Sequence, residues 1–287
     1  MIANFFTFYI LSKYKDCKSK INNKKRWKII AQNYFVKIPK EYIYIDSADG
    51  FQILLYRCLS YLYNTRTETV GTSINEILEL CHYSLRSKGD KNIAHKVKKS
   101  ISTFVSKSNL IWDNKHDYRS SNNVNANAHL RFKVNKAVFD PPDNFVILYD
   151  TEWDKLMSIS NRLSKSILLR VYLYIKSWNF QNTEIITESV CGCYKKETVI
   201  AEELHISVRQ LDNYLKALCD NGLIVKHITG SYKKNGKVYN APNVYVLGSD
   251  LNAQQHIQEA VDRLKYTYKV DEFLPMVHKN RKMRKDW

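Results

Sequence analysis

Glycine and proline are scarce in this chain, eight and five among 287 residues, which leaves no room for Gly/Ser linkers or Pro-rich low-complexity tracts. Long apolar runs are missing too. No stretch reaches the roughly 18 uncharged apolar residues of a membrane span, and the strongest candidate, Ser166–Trp178, contains Arg170 and Lys176. Phe5 to Leu11 is apolar, but no basic segment precedes it and no small-residue cleavage site follows, so an export signal is not expected. Six cysteines are present, and only Cys191-Gly-Cys193 are close; a C-x-C with no second pair is not a structural zinc spacing. Cys17, Cys58, Cys81 and Cys219 fall inside apolar or helical patterns, where Cys acts as a small hydrophobe. The expectation is a reducing, cytoplasmic setting.

Catalytic signatures are equally thin. None of the eight histidines forms H-x-H or H-E-x-x-H, so metal-assisted nicking or proteolysis lacks its ligands, and neither metal nor cofactor is expected. The run Gly230 to Lys237 superficially resembles a P-loop, but five residues separate its glycines and Val238 stands where a Mg-binding hydroxyl belongs. Asp150, Glu152 and Asp154 sit at an expected helix start, where acids favour the macrodipole. Twenty tyrosines offer a nicking nucleophile, but no metal-binding His pair accompanies them. The chain reads as a non-enzyme, with a DNA-nicking enzyme as the reading from a different class.

Acid is the remaining shortage. Against 45 Lys+Arg stand 28 Asp+Glu, a net charge of +17, and a protein this basic is drawn to polyanions. The excess is uneven: residues 1–40 carry +9, densest at Lys24-Lys25-Arg26-Trp27-Lys28, and residues 278–287 carry +4. Such ends either keep the protein soluble or lie along phosphates as non-specific arms. With 44% apolar and 25% charged residues the rest is globular, and the length suggests about two domains.

The second half carries the sharper pattern. Ile167, Leu168, Val171, Tyr172, Ile175 and Trp178 recur at helical spacing, which predicts a first helix with one apolar face. Lys196 to Leu204 follows as a short second helix burying Ile200, Ala201 and Leu204, and His205-Ile206 make the turn. Ser207 and Gln210 form a capping box for a third helix that buries Val208, Leu211, Leu215 and Leu218 and stops at Gly222. Leu223–Val225 reads as a strand, Gly230–Gly236 as a polar turn, and Asn243–Leu247 as the returning strand.

The first half repeats this order. Ile53, Leu54, Leu55, Cys58, Leu59 and Leu62 give a first helix, and Ser73 to Glu76 is a capping box opening a short second one. The turn from Tyr83 to Asp90 is longer than in the other copy. A third helix from about Lys91 turns Ile93, Val97, Ile101, Phe104 and Val105 inward; Ser108–Ile111 and Leu130–Val134 then flank an Asn/Ser-rich tip. The expected fold is mainly α with small β-hairpins (α+β), as two tandem units at 41–140 and 141–250. A basic arm, 1–40, precedes them, and a C-terminal helix with a basic tail, 251–287, follows. The sequence leaves three roles open for that helix: dimerisation, covering the second unit, or contact with a partner.

The run "IAEELHISVRQLDNYLKALCDNGLI" resembles the winged helix-turn-helix family, in which the third helix enters the major groove. On that resemblance the outward residues of the second copy are Arg209, Gln210, Asn213 and Lys216 beside the capping Ser207. Arg forks onto guanine, and Gln or Asn onto adenine. Phosphate contact falls to Lys226, Lys233, Lys234 and Lys237 in the wing. In the first copy Lys91, Asn92, His95, Lys96 and Lys99 are the candidates, unless that face is merely solvated; Tyr214 and Trp178 are expected in the core.

The whole order resembles the replication initiators and replisome organisers of low-GC Gram-positive plasmids, phages and integrative elements. "YFVKIPKEYI" (Tyr34–Ile43), "LLRVYLYIKS" (Leu168–Ser177) and "NAPNVYVL" (Asn240–Leu247) carry that likeness. The resemblance implies a sequence-specific double-stranded DNA-binding protein that grips repeated origin sites, as a homodimer or in several copies, and recruits host replication proteins. A winged-helix transcription regulator of the same element is the alternative.

Overall fold

The computed structural model describes residues 34–45, 51–83, 90–106, 111–112, 126–159, 162–179 and 192–274, the side chains of residues 90–92 and 112 excepted. Lys24, Lys25, Arg26, Cys17, Cys191 and the basic tail lie outside the described residues, as do the side chains of Lys91 and Asn92.

Phe35–Pro39, the last stretch of the expected arm, is a strand, β1, followed by the short helix α1 (Glu41–Tyr44). The first half continues as α2 (Phe51–Leu62), β2 (Tyr63–Asn64), β3 (Thr69–Thr72), α3 (Ile74–Leu80), α4 (Asp90–Ser106), β4 (Ile111–Trp112), β5 (Leu130–Lys133) and α5 (Lys136–Phe139). Strands β2 to β5 form one antiparallel sheet in the order β2-β3-β5-β4, with Val70 opposite Phe132 and Ile111 opposite Lys133. The Ser73 hydroxyl accepts from the Glu76 N–H at 3.1 Å, which caps α3.

The second half comprises β6 (Phe145–Tyr149), α6 (Asp150–Ser158), α7 (Lys165–Asn179), α8 (Glu197–Glu203), α9 (Val208–Asp220), β7 (Ile224–His227), β8 (Ser231–Lys234), β9 (Lys237–Asn240) and β10 (Val244–Leu247). β6 pairs antiparallel with β1. Cys193 bridges to Tyr245 on β10, and β10 pairs with β7 through Val246 opposite Val225. Both halves therefore share one arrangement: chain between the first and second helices pairs with the last strand, which also pairs with the strand after the third helix. Among the described residues the protein is a mixed helix and sheet fold, with small antiparallel sheets.

Two sequence expectations need correction. The polar turn at Gly230–Gly236 is a hairpin, because Asn235 and Gly236 both take positive φ (51° and 73°) and form a two-residue turn with Lys234 opposite Lys237. The first helix of the second half is not apolar on one face only. From Leu168 to Ser177 every residue of α7 is buried, since elements from both halves pack around it.

Burying α7 carries its cations inside, and each is partnered as burial requires. Lys165 Nζ donates to the carbonyls of Cys81, His82 and Met157 at 2.8, 2.9 and 2.8 Å. Arg170 donates to the Ile43 and Leu204 carbonyls at 2.8 and 2.9 Å. Lys176 meets Glu152 at 2.6 Å. Arg57 of α2 reaches Asp150 at 2.6 Å and lies over the Trp153 ring. Asp150 and Glu152 at the start of α6 thus have specific cationic partners besides the helix macrodipole. One apolar core draws on both halves, with members from Val36 to Leu247.

The C-terminal helix α10 (Ala253–Tyr268) lays Ile257 and Ala260 on Val244 and Val246, and Leu264 on Tyr232. Its buried face is thus filled by the chain's own strands. A last strand, β11 (Glu272–Leu274), pairs with β8, so the hairpin is the inner and outer part of a three-stranded sheet, β11-β8-β9. No helix among the described residues is long and apolar enough to cross a membrane.

Candidate nucleic-acid interface

α9 is built from rules local to its own sequence. Ser207 Oγ accepts from the Gln210 N–H at 3.2 Å, and Gln210 Oε1 accepts from the Ser207 N–H at 3.0 Å, closing the capping box. At the far end Gly222 (φ 64°) donates to the Cys219 carbonyl and Leu223 to the Leu218 carbonyl, both at 2.9 Å, the pair of bonds that ends a helix on a left-handed glycine. Leu211, Tyr214, Leu215 and Leu218 are buried, whereas Val208 is 42% exposed, contrary to the inward place the periodicity gives it. Val208 occupies the first turn, which projects beyond the core.

Buried polar contacts set the angle of this helix. Tyr214 OH accepts from the Ser164 N–H at 3.2 Å, and Arg170 holds the Leu204 carbonyl in the turn before α9. His205 makes that turn with φ 53°. Arg209, Gln210, Asn213 and Lys216 then all face solvent, with Asp212 among them. Gln210 Oε1 is engaged in the cap, so the groups it can offer outward are its amide N–H donors. Trp178 packs half-buried against the core, with Lys195 Nζ 4.4 Å from its ring centre.

The four lysines expected to contact phosphate separate into different environments. Lys226 lies on β7 and donates to Glu197 Oε1 at 2.9 Å. Burial works to raise the Glu197 carboxyl, but hydrogen bonds from Tyr245, Lys226 and Asn243 hold it below its ordinary range. Lys233, on β8, meets Glu272 at 3.3 Å in an exposed pair. Strand alternation puts Lys234 and Lys237 on the opposite face of the hairpin from Lys233, beside the stacked Tyr232 and Tyr239 rings, whose centres are 5.5 Å apart. Val238, 59% exposed, and Asn240 share the Lys233 face.

In the first half, α4 exposes His95 and Lys99 and half-buries Lys96, while Val97, Ile101 and Phe104 turn inward. Arg131 and Lys133 of β5 point outward between the buried Leu130 and Phe132. These two cations were missed as candidates, although strict alternation in Leu-Arg-Phe-Lys already places them on one outward face.

Cys58, Cys81 and Cys193 are buried free thiols, with Cys58 and Cys81 sulfurs 3.6 Å apart. Burial pushes the Cys193 thiol up to about 12, far from a reactive thiolate. No cluster of three or more His, Cys, Asp or Glu able to hold a metal occurs among the described residues. Compared with family models, with curated proteins and with solved structures, the chain gives no match.

Proposed function

We propose that each half is a winged helix and that the chain is a non-enzymatic, sequence-specific double-stranded DNA-binding protein, the replication initiator of a plasmid or other mobile element. The observation that carries this reading is α9: a capped, amphipathic helix whose Arg209, Asn213 and Lys216 face solvent while its apolar side is buried. A helix of that form suits the major groove, where Arg and Asn side chains read base edges. The lysine-tipped hairpin after it suits phosphate contact, and the repeated strand pairing of the first half supports a second grip. The net charge of +17 supports a polyanionic partner. The initiator role itself rests on the resemblance of "YFVKIPKEYI", "LLRVYLYIKS" and "NAPNVYVL" to such proteins.

Footprinting the full-length protein on DNA flanking its own coding region tests the reading. Protected direct repeats beside an A·T-rich tract are the expected result; a single palindrome over a promoter assigns it to transcription instead. Affinity should fall with salt along a log–log slope of roughly −5 to −7, from about six to eight neutralised phosphates. A slope shallower than about −2, or no protected sequence, contradicts the proposal.

A further inference from the structure

The hairpin β8–β9 is held from the side by the chain's own C-terminal strand. Lys269 ends α10 in the left-handed conformation (φ 51°), and Val270 then inserts beside Tyr232 and Leu264. Asp271 follows, and two hydrogen bonds run in opposite directions between it and the hairpin. The Asp271 N–H donates to the Lys233 carbonyl at 2.9 Å, and the Asn235 N–H donates to Asp271 Oδ2 at 2.8 Å. Asn235 is the first residue of the two-residue turn, so its N–H lies outside the β8–β9 ladder. The carboxylate therefore grips the tip at a backbone donor that the hairpin's own pairing leaves over.

We infer that Asp271 is a positioning residue for DNA contact, clamping the turn so that Lys234 and Lys237 are presented at a fixed place at the hairpin tip. This rests on the proposed reading of the hairpin as a phosphate-contacting wing. Charge alone argues against an acid here, because a carboxylate beside the wing tip repels the phosphates that the two lysines would meet. Its benefit is geometric: a tip already ordered loses less conformational freedom on binding. Glu272 does not share the role, since it meets Lys233 on the other face of the sheet, in an exposed pair of little strength.

The test uses the full-length protein with Asp271→Ala and Asp271→Asn. It reads hydrogen exchange at the Asn235 amide, the melting temperature, and binding to the footprinted duplex and to a random-sequence duplex. Asp271→Ala should speed exchange at Asn235 by about tenfold and weaken binding to both duplexes by about three- to tenfold, mainly through faster dissociation. Asp271→Asn keeps a carbonyl oxygen for the Asn235 N–H and removes the charge, so it should restore protection and bind at least as tightly as the wild type. Two variants that both tighten binding equally would show a purely electrostatic effect and overturn the clamp. So would two variants that lose binding only in step with their melting temperature. An unchanged Asn235 amide in Asp271→Ala, with DNA binding intact, overturns the clamp alone. Wild-type protein that binds neither duplex overturns the DNA reading, whatever Asn235 does.

Discussion

Lys234 and Lys237 stand directly opposite each other across the hairpin, with only Asn235 and Gly236 between them. Like charges so placed cost the hairpin a few tenths of a kcal/mol or more, a cost that a bound anion removes. Replacing either by Ala should weaken binding to all duplexes alike and reduce the salt slope by about 1. Lys233→Ala should do less, because Lys233 already meets Glu272. Lys226→Ala should leave the slope unchanged and lower stability by about 1 kcal/mol, through the loss of its charge-assisted bond to Glu197. Fluorescence anisotropy across a salt series, with melting curves alongside, separates the four. Equal effects from all four lysines contradict the division.

Arg209 and Gln210 are adjacent on α9 but should respond differently. Arg209→Ala is expected to cost about 1–3 kcal/mol of DNA affinity and to relax preference at one base position, with stability unchanged. Gln210→Ala should also lower the melting temperature slightly, because it removes the half of the capping box in which Gln210 Oε1 accepts from the Ser207 N–H, while the Ser207 Oγ bond to the backbone N–H of residue 210 stays. Binding selections from randomised duplexes check both. Unchanged sequence preference in Arg209→Ala means that α9 is not the reader.

Gly248 passes so close to the end of α9 that a Cβ on it would fall 2.0 Å from the Gly222 carbonyl oxygen, while its N–H donates to the Leu223 carbonyl at 2.8 Å. The obstacle is backbone and cannot rotate away. Gly248→Ala should therefore destabilise by about 3 kcal/mol, the upper end for overpacking. Gly222→Ala meets open space and only the strain of its positive φ, about 1 kcal/mol. Urea unfolding of both variants checks the order, and a larger loss at Gly222 refutes it.

Lys165 predicts a pH effect. Burial lowers its ammonium from 10.5 to about 8, with the Cys81 thiol pulling the other way. Between those values the unfolded chain holds a proton that the folded chain has released. Its contribution to stability is present above the unfolded value, and it is lost as pH falls through about 8. The difference in melting temperature between wild type and Lys165→Met should move in favour of the wild type from about pH 7 to about pH 10. A gap that stays level means that the ammonium is not desolvated.

How much of this was legible follows the range of each interaction. The caps of α9, its turn at His205 and its stop at Gly222 depend on neighbours within a few residues, and they stand in the sequence as plainly as in the fold. The hairpin turn was also local. Its Asn-Gly signal is weak in the sequence because lysines, rather than alternating apolar residues, flank it. β3 hides in a Thr-rich stretch without an apolar period, and only β5 beside it gives it a place. The all-round burial of α7, the bond from Lys226 to Glu197 and the grip of Asp271 on Asn235 join distant parts of the chain, and no spacing rule carries them.

The shared α7 has a consequence for evolution as well as for binding. Halves that lean on one helix cannot be shuffled as independent cassettes, because removing either uncovers apolar residues that the other packs against. On the proposed reading the same shared core makes the protein a caliper. Five extra base pairs, about half a turn of duplex, would carry one contact site round to the far side of the DNA, away from the half that is built to meet it.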